Sequence, residues 1–121
     1  MKAADLKAID PAFDKLAAFA KLTHGTAAHI NAMRQQVIFT DGALPARLKA
    51  LAAALWSINA RCEPCIKFYV QKSKELGANE AELGEILALA STMGGCVGEM
   101  WALKAYDAYL GTESGGACCA V

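Results

Sequence analysis

Apolar residues recur at steps of three and four along most of this chain, the spacing that lines one face of an α-helix. The cleanest stripe is Leu48, Leu51, Leu55 and Ile58. Leu44-Pro45 opens that helix, because proline's fixed φ and missing N–H suit a first turn. Asn59 ends it. Upstream, Asp10-Pro11 reads as a cap followed by a first-turn proline. The helix after it places Phe13, Leu16, Ala17 and Ala20 on one face, with Lys15 and Lys21 off it. His24-Gly25-Thr26 breaks it. A second helix from about Thr26 carries Ile30, Met33, Val37 and Ile38 as one stripe. Asp41-Gly42 is expected to end it, with glycine in the left-handed position.

Downstream, Cys62, Cys65, Ile66, Tyr69, Ser73 and Leu76 share one face of a fourth helix that stops at Gly77. Asn79-Glu80-Ala81-Glu82 has the spacing of a capping box. A fifth helix turns Leu83, Ile86, Leu87, Ala90 and Met93 inward until Gly94-Gly95 interrupts it. A sixth carries Val97, Met100, Trp101, Tyr106 and Leu110 and stops at Gly111. No segment sustains the alternation of a strand, and no repeat of about 20–50 residues is present. The expectation is an all-α fold of about six helices, forming one domain over residues 1–111. Residues 112–121 differ. Ser114-Gly115-Gly116 has flexible-linker composition, and the chain closes on the vicinal pair Cys118-Cys119.

Composition sharpens this picture in one respect. Apolar residues make up 55% of the 121, above the usual share of about 45–50%. So short a chain has limited interior, and the surplus points to helical faces buried against other subunits. The formal net charge is zero, which gives no reason to propose nucleic acid or an acidic membrane as a partner. No apolar run reaches the ~18 residues of a membrane-spanning helix. The N-terminus, with Lys2, Asp5 and Lys7 among alanines, lacks a signal-peptide core. The expected compartment is the reducing cytoplasm, where a Cys-x-x-Cys is more often catalytic than structural.

That pair is the main chemical signal: Arg61-Cys62-Glu63-Pro64-Cys65-Ile66-Lys67-Phe68-Tyr69. Cysteines three apart on a helical turn have Cα atoms roughly 5 Å apart, inside the ~4.4–6.8 Å a disulfide needs. Pro64 fixes where the helix starts, between Arg61 and Glu63. Both sulfurs then lie among the free N–H groups of a helix N-terminus, which favour thiolate. Arg61 and Lys67 add positive potential and Glu63 opposes it. A zinc site would want further ligands, yet no second Cys-x-x-Cys exists. His24 and His29 do not share a helical face and are read as solvated or capping. Cys96 is read as a small buried packing residue, and Trp56 likewise as packing. Helix geometry alone does not choose which of Cys62 and Cys65 attacks.

With Leu44-Pro45, the cysteine motif, Gly77-Ala78-Asn79-Glu80-Ala81-Glu82-Leu83-Gly84-Glu85-Ile86 and Met93-Gly94-Gly95, the stretch from Gly42 to Gly111 resembles the alkylhydroperoxidase D-like group of the carboxymuconolactone decarboxylase family. The resemblance implies an all-helical bundle assembled as a homo-oligomer, a trimer or hexamer, with active sites near subunit contacts. It implies a dithiol that reduces a peroxide or disulfide substrate and is restored by a thiol reductant, small molecule or protein, without a cofactor. Cys65 would attack and Cys62 resolve. The family's redox members place a histidine four residues after the second cysteine and a glutamate twelve before the first. Here those positions hold Tyr69 and Ala50. Tyr69 can donate a hydrogen bond from the right face, and Glu63 is the nearby carboxylate. The leading expectation is a thiol–disulfide oxidoreductase with peroxide-reducing activity. Two alternatives stand beside it. One is a thiol protein for soft metal or metalloid ions, since Cys118-Cys119 resembles the terminal vicinal pair of mercuric reductases and thiolates select soft ions. The other is a non-catalytic oligomer that lost the proton relay.

Overall fold

The structure, a computed structural model, describes residues 3–111. Among these residues every element is helical and there is no strand: α1 (Ala3–Ile9), a 3-10 turn (Pro11–Lys15), α2 (Leu16–Leu22), α3 (Thr26–Val37), α4 (Ala46–Ala60), α5 (Glu63–Glu75) and α6 (Glu80–Leu110). The all-α class is as the periodicity predicts. The apolar pattern begins only at Asp10, so α1 is an addition. Asp10 caps the 3-10 turn by accepting from the Ala12 N–H at 2.8 Å. His24 and Gly25 both take positive φ and separate α2 from α3. Gly42 does not: α3 ends earlier, at Val37, and the loop serves the next helix instead. There Asp41 accepts from the Ala46 N–H at 2.7 Å, which satisfies one free donor of α4.

Helices α4, α5 and α6 build the core. Leu51, Ala54, Ser57 and Ile58 of α4 are buried, as are Ile66, Val70 and Ser73 of α5 and Leu83 and Ala90 of α6. Asn79 and Glu82 close the predicted capping box, with Glu82 N–H donating to Asn79 at 2.8 Å and Asn79 N–H donating to Glu82 at 3.1 Å.

α6 is two arms rather than one rod. Gly95 leaves the helical region at φ 61°, ψ −143°. Tyr106 then donates to Glu80 at 2.6 Å, and Tyr109 donates to the Ala78 carbonyl at 3.0 Å. In a straight helix residues 80 and 106 would stand about 39 Å apart. The arms, 80–94 and 96–110, therefore run back along each other. A Cβ on Gly98 would collide with the Ala90 carbonyl oxygen, so only glycine permits that approach. Contrary to the expectation from apolar runs, α6 counted as one 31-residue helix is long and apolar enough to cross a membrane, at a mean hydropathy of 1.4 over its best window. Folded at Gly95, neither arm keeps that length: each spans about 22 Å, short of the ~30 Å of a bilayer core.

The fold-back changes which residues face inward. The second arm buries Gly98, Ala102, Ala105 and Ala108. Of its large residues predicted to point in, Trp101 packs against the core, but Val97, Met100 and Leu110 are about half exposed. Met93, predicted inward on the first arm, is 86% exposed. Small side chains let the arms and α5 close together, and the bulky ones are left facing away. Cys96, expected to be buried, is exposed beside the Gly94-Gly95 turn. Trp56 is exposed rather than packed within the chain.

Candidate functional site

The α4 helix ends where Arg61 takes the left-handed conformation at φ 56°. Cys62 is then the N-cap of α5, its carbonyl accepting from Ile66 N–H at 2.9 Å, and Glu63, Pro64 and Cys65 form the first turn. Proline costs nothing there, because the N–H it lacks would have no helical partner. Cys62 and Cys65 are joined in a disulfide with a Cα–Cα distance of 5.2 Å, close to what the sequence spacing predicts. Both residues are half-buried, and Ile66, next in the chain, anchors the turn in the core.

The Glu63 carboxylate, on the first turn of α5, lies 3.6 Å from Lys67 and 3.7 Å from Lys104. Lys104 comes from the second arm of α6, and no local pattern places it beside Glu63.

Tyr69 stands one helical turn beyond Cys65 and so on the same face of α5. Its hydroxyl oxygen accepts a hydrogen bond from Arg34 Nε at 2.9 Å. Phe68 and Phe39 surround it, with ring centroids 5.0 and 6.1 Å from its own. The Arg34 guanidinium also lies 5.9 Å from the centre of the Phe68 ring. A tyrosine hydroxyl that accepts from arginine keeps its own proton available to donate. Arg34 was missed by the sequence reading. The only hint was a cation within the apolar stripe of α3, between Met33 and Val37.

Ala50, in the position of the family's glutamate, is completely buried within α4. His24 and His29 are exposed. Among the described residues no group of three or more His, Cys, Asp or Glu side chains is arranged to hold a metal ion. Cys118 and Cys119, the alternative thiol ligands, lie outside the described residues. An apolar groove of about 730 Å³ runs between α4 and the turn of α6, lined by Leu55, Trp56, Leu89, Met93 and Val97, with Asn59 and Arg61 at its polar margin.

The arrangement is thus a half-buried disulfide on the first turn of a helix, with a phenol one turn further along whose oxygen accepts from Arg34. The chain is similar in fold and in sequence to known proteins. A carboxymuconolactone decarboxylase family protein from Legionella pneumophila, solved in its apo form, superposes with a TM-score of 0.75 at 29% identity, over 88% of this chain and 93% of that one. An uncharacterized protein of Cupriavidus necator is 37% identical over 65 residues, which is 54% of this chain and 58% of that protein's length. The chain thus matches somewhat over half of that relative. The sequence profile of the carboxymuconolactone decarboxylase family matches residues 25–108, from the start of α3 to the last turn of α6, and the chain belongs to that family.

Proposed function

We propose that this protein is a thiol–disulfide oxidoreductase that reduces peroxides through Cys62 and Cys65 and works as a homo-oligomer. The observation that carries the reading is the half-buried Cys62–Cys65 disulfide on the first turn of α5. Family membership supports it, as does the place of Tyr69 one helical turn after Cys65. In the reduced state, free N–H groups of the first turn favour thiolate over thiol. Following the resemblance, the Cys65 thiolate attacks one peroxide oxygen. The O–O bond breaks, Cys65 becomes a sulfenic acid, and the departing oxygen leaves as alkoxide or hydroxide. Tyr69 donates a hydrogen bond to that oxygen, which lowers the cost of its negative charge. Cys62 then attacks the Cys65 sulfur, water leaves, and the disulfide seen in the structure forms. Two equivalents of an external thiol restore the dithiol. Such donors are plentiful in a reducing cytoplasm.

The test is a thiol titration. The fully reduced chain exposed to one equivalent of peroxide should lose two thiols and yield a Cys62–Cys65 disulfide on peptide mapping. Turnover should vanish in Cys65→Ser. A Cys65→Ser variant that consumes peroxide as fast as the native chain would overturn the assignment.

A further inference from the structure

Tyr69 is joined to a helix distant in sequence, and both sides of the contact are fixed. Arg34 lies in the last turn of α3. Its carbonyl accepts from the N–H groups of Ile38, at 2.8 Å, and Phe39, at 3.1 Å. Those two bonds close the helix end and set Phe39 just beyond it. Phe39 packs on α5, its ring centre 6.0 Å from that of Phe68 and 6.1 Å from that of Tyr69. Lys72 Nζ stands 4.9 Å from the centre of the same Phe39 ring. Arg34 is thus held at three points: its own backbone turn, the Phe68 ring and the Tyr69 oxygen. Its stripe neighbours Met33 and Val37 are more than half exposed, whereas Arg34 is half-buried.

The direction of the Arg34–Tyr69 bond sets what the phenol can do. Arg34 Nε–H occupies an acceptor position of the oxygen, so the phenol's own proton points away from Arg34. Side chains on a helix lean toward its N-terminus, which carries the Tyr69 ring over the turn of Cys65, four residues earlier. A cationic donor on the oxygen also polarises the O–H, because successive hydrogen bonds strengthen one another. Arginine keeps that charge at any working pH.

We infer that Arg34 is a positioning residue of the peroxide reduction, holding and polarising the Tyr69 O–H for peroxides whose departing oxygen needs a proton. The inference rests on the dithiol reading above. The Cys65 thiolate attacks the terminal oxygen of a hydroperoxide; an S–O bond forms and the O–O bond breaks. The departing alkoxide takes the Tyr69 proton and leaves as the alcohol. The tyrosinate left behind, stabilised by Arg34, takes a proton from water. Phenols are far stronger acids than water, about 10 against about 15.7 in pKa, so transfer to an alkoxide runs downhill. A peracid differs at one point. Its departing group is a carboxylate, stable without a proton near neutral pH. Arg34 should therefore matter to hydroperoxides and not to peracids.

The experiment follows one turnover of the fully reduced, full-length chain with tert-butyl hydroperoxide and with peracetic acid. Rapid quenching, alkylation and mass spectrometry of tryptic peptide 62–67, which holds both cysteines, read closure of the disulfide. Arg34→Met should close it about tenfold more slowly than the native chain with the hydroperoxide, from loss of a charged hydrogen-bond donor. With the peracid its rate should stay within about twofold of native. Arg34→Gln, which removes the charge but keeps a donor, should show the same selectivity to a smaller degree, and serves if circular dichroism shows that methionine unsettles the fold. In a Tyr69→Phe background, Arg34→Met should change the hydroperoxide rate by less than about twofold, because the two residues act as a unit. Equal slowing with both oxidants in a folded variant, no slowing with either, or an undiminished loss in the Tyr69→Phe background would overturn the inference and leave the dithiol reading in place. A native chain whose Cys62–Cys65 pair closes with neither oxidant would remove the dithiol reading, and the role of Arg34 with it.

Discussion

In the proposed cycle, Tyr69, held by Arg34, takes the place that the family resemblance gives to an imidazole. A phenol is a poor base near neutral pH, but it can donate to a developing oxyanion. Arg34 fixes its oxygen without using up its proton. Tyr69→Phe removes only that proton donor. It should lower peroxide turnover by about a hundredfold, the modest end of proton-transfer catalysis, while costing only ~1 kcal/mol of stability from the lost hydrogen bond. Stopped-flow rates and a denaturant midpoint measured on the same protein separate the two effects; equal rates would leave Tyr69 as packing. Rebuilding the family's pattern is a harsher change. Ala50 is fully buried in α4, and a glutamate there must find space and a partner for its carboxyl. Ala50→Glu should destabilise the chain by about 2 kcal/mol or more, and Tyr69→His should recover part of that loss if the two side chains pair. At this scale the sequence was legible where the chemistry is local. Cysteine spacing and Pro64 placed the disulfide and the helix start. Arg34 is 35 residues from Tyr69, and no local pattern encodes a contact made by tertiary packing.

Among the elements, α6 shows how much one backbone feature controls. The fold-back at Gly95 depends on Gly98 passing the Ala90 carbonyl. Gly98→Ala should cost about 3 kcal/mol or more, since a backbone oxygen cannot move aside as a side chain would. Thermal melting checks this, and an unshifted midpoint would mean that the arms can separate without loss. The start of α6 carries a different kind of control. Hydrogen bonding from Arg47 holds the Glu82 carboxyl below its usual range, helped by the Asn79 N–H. A folded-state carboxyl with a lowered pKa stabilises the protein above the unfolded value, about 4.3 for Glu. That contribution fades as pH falls through the lower folded value. Glu82→Gln should therefore lower the melting temperature at neutral pH and flatten its decline below about pH 4. An identical acid limb in the variant would show that the pair contributes nothing. The sequence announced both features, Gly94-Gly95 as a break and Asn79 to Glu82 as a cap. It misdirected the second arm's inward face, because helical periodicity marks an apolar side without saying what covers it. Inside the chain, alanines and Gly98 take the buried side, and the bulkier stripe is left out.

That stripe is the basis for an argument about the whole molecule. Leu89, Met93, Val97, Met100 and Leu103 are each more than half exposed along α6, and Trp56 is 69% exposed across the groove from them. Exposed apolar side chains in such number mark an interaction surface. Much of the apolar surplus noted in the composition has gone to this face and to Leu22, Met33 and Val37 rather than to the core. The same face adjoins Arg61, the residue before Cys62, so a second copy seated there would lie close to the dithiol. Stable interfaces cover about 800 Å² on each partner, an area within reach of these side chains together. The expected outcome is an oligomer at micromolar concentration by light scattering, a trimer or a hexamer if the assembly follows the family resemblance. Met93→Asp sits at the most exposed apolar position and changes no buried contact. It should dissociate the assembly while leaving the helical circular dichroism of the monomer intact. A native chain that scatters as a monomer would refute the assembly. A Met93→Asp variant that stays fully associated would move the interface elsewhere, to the exposed faces of α2 and α3.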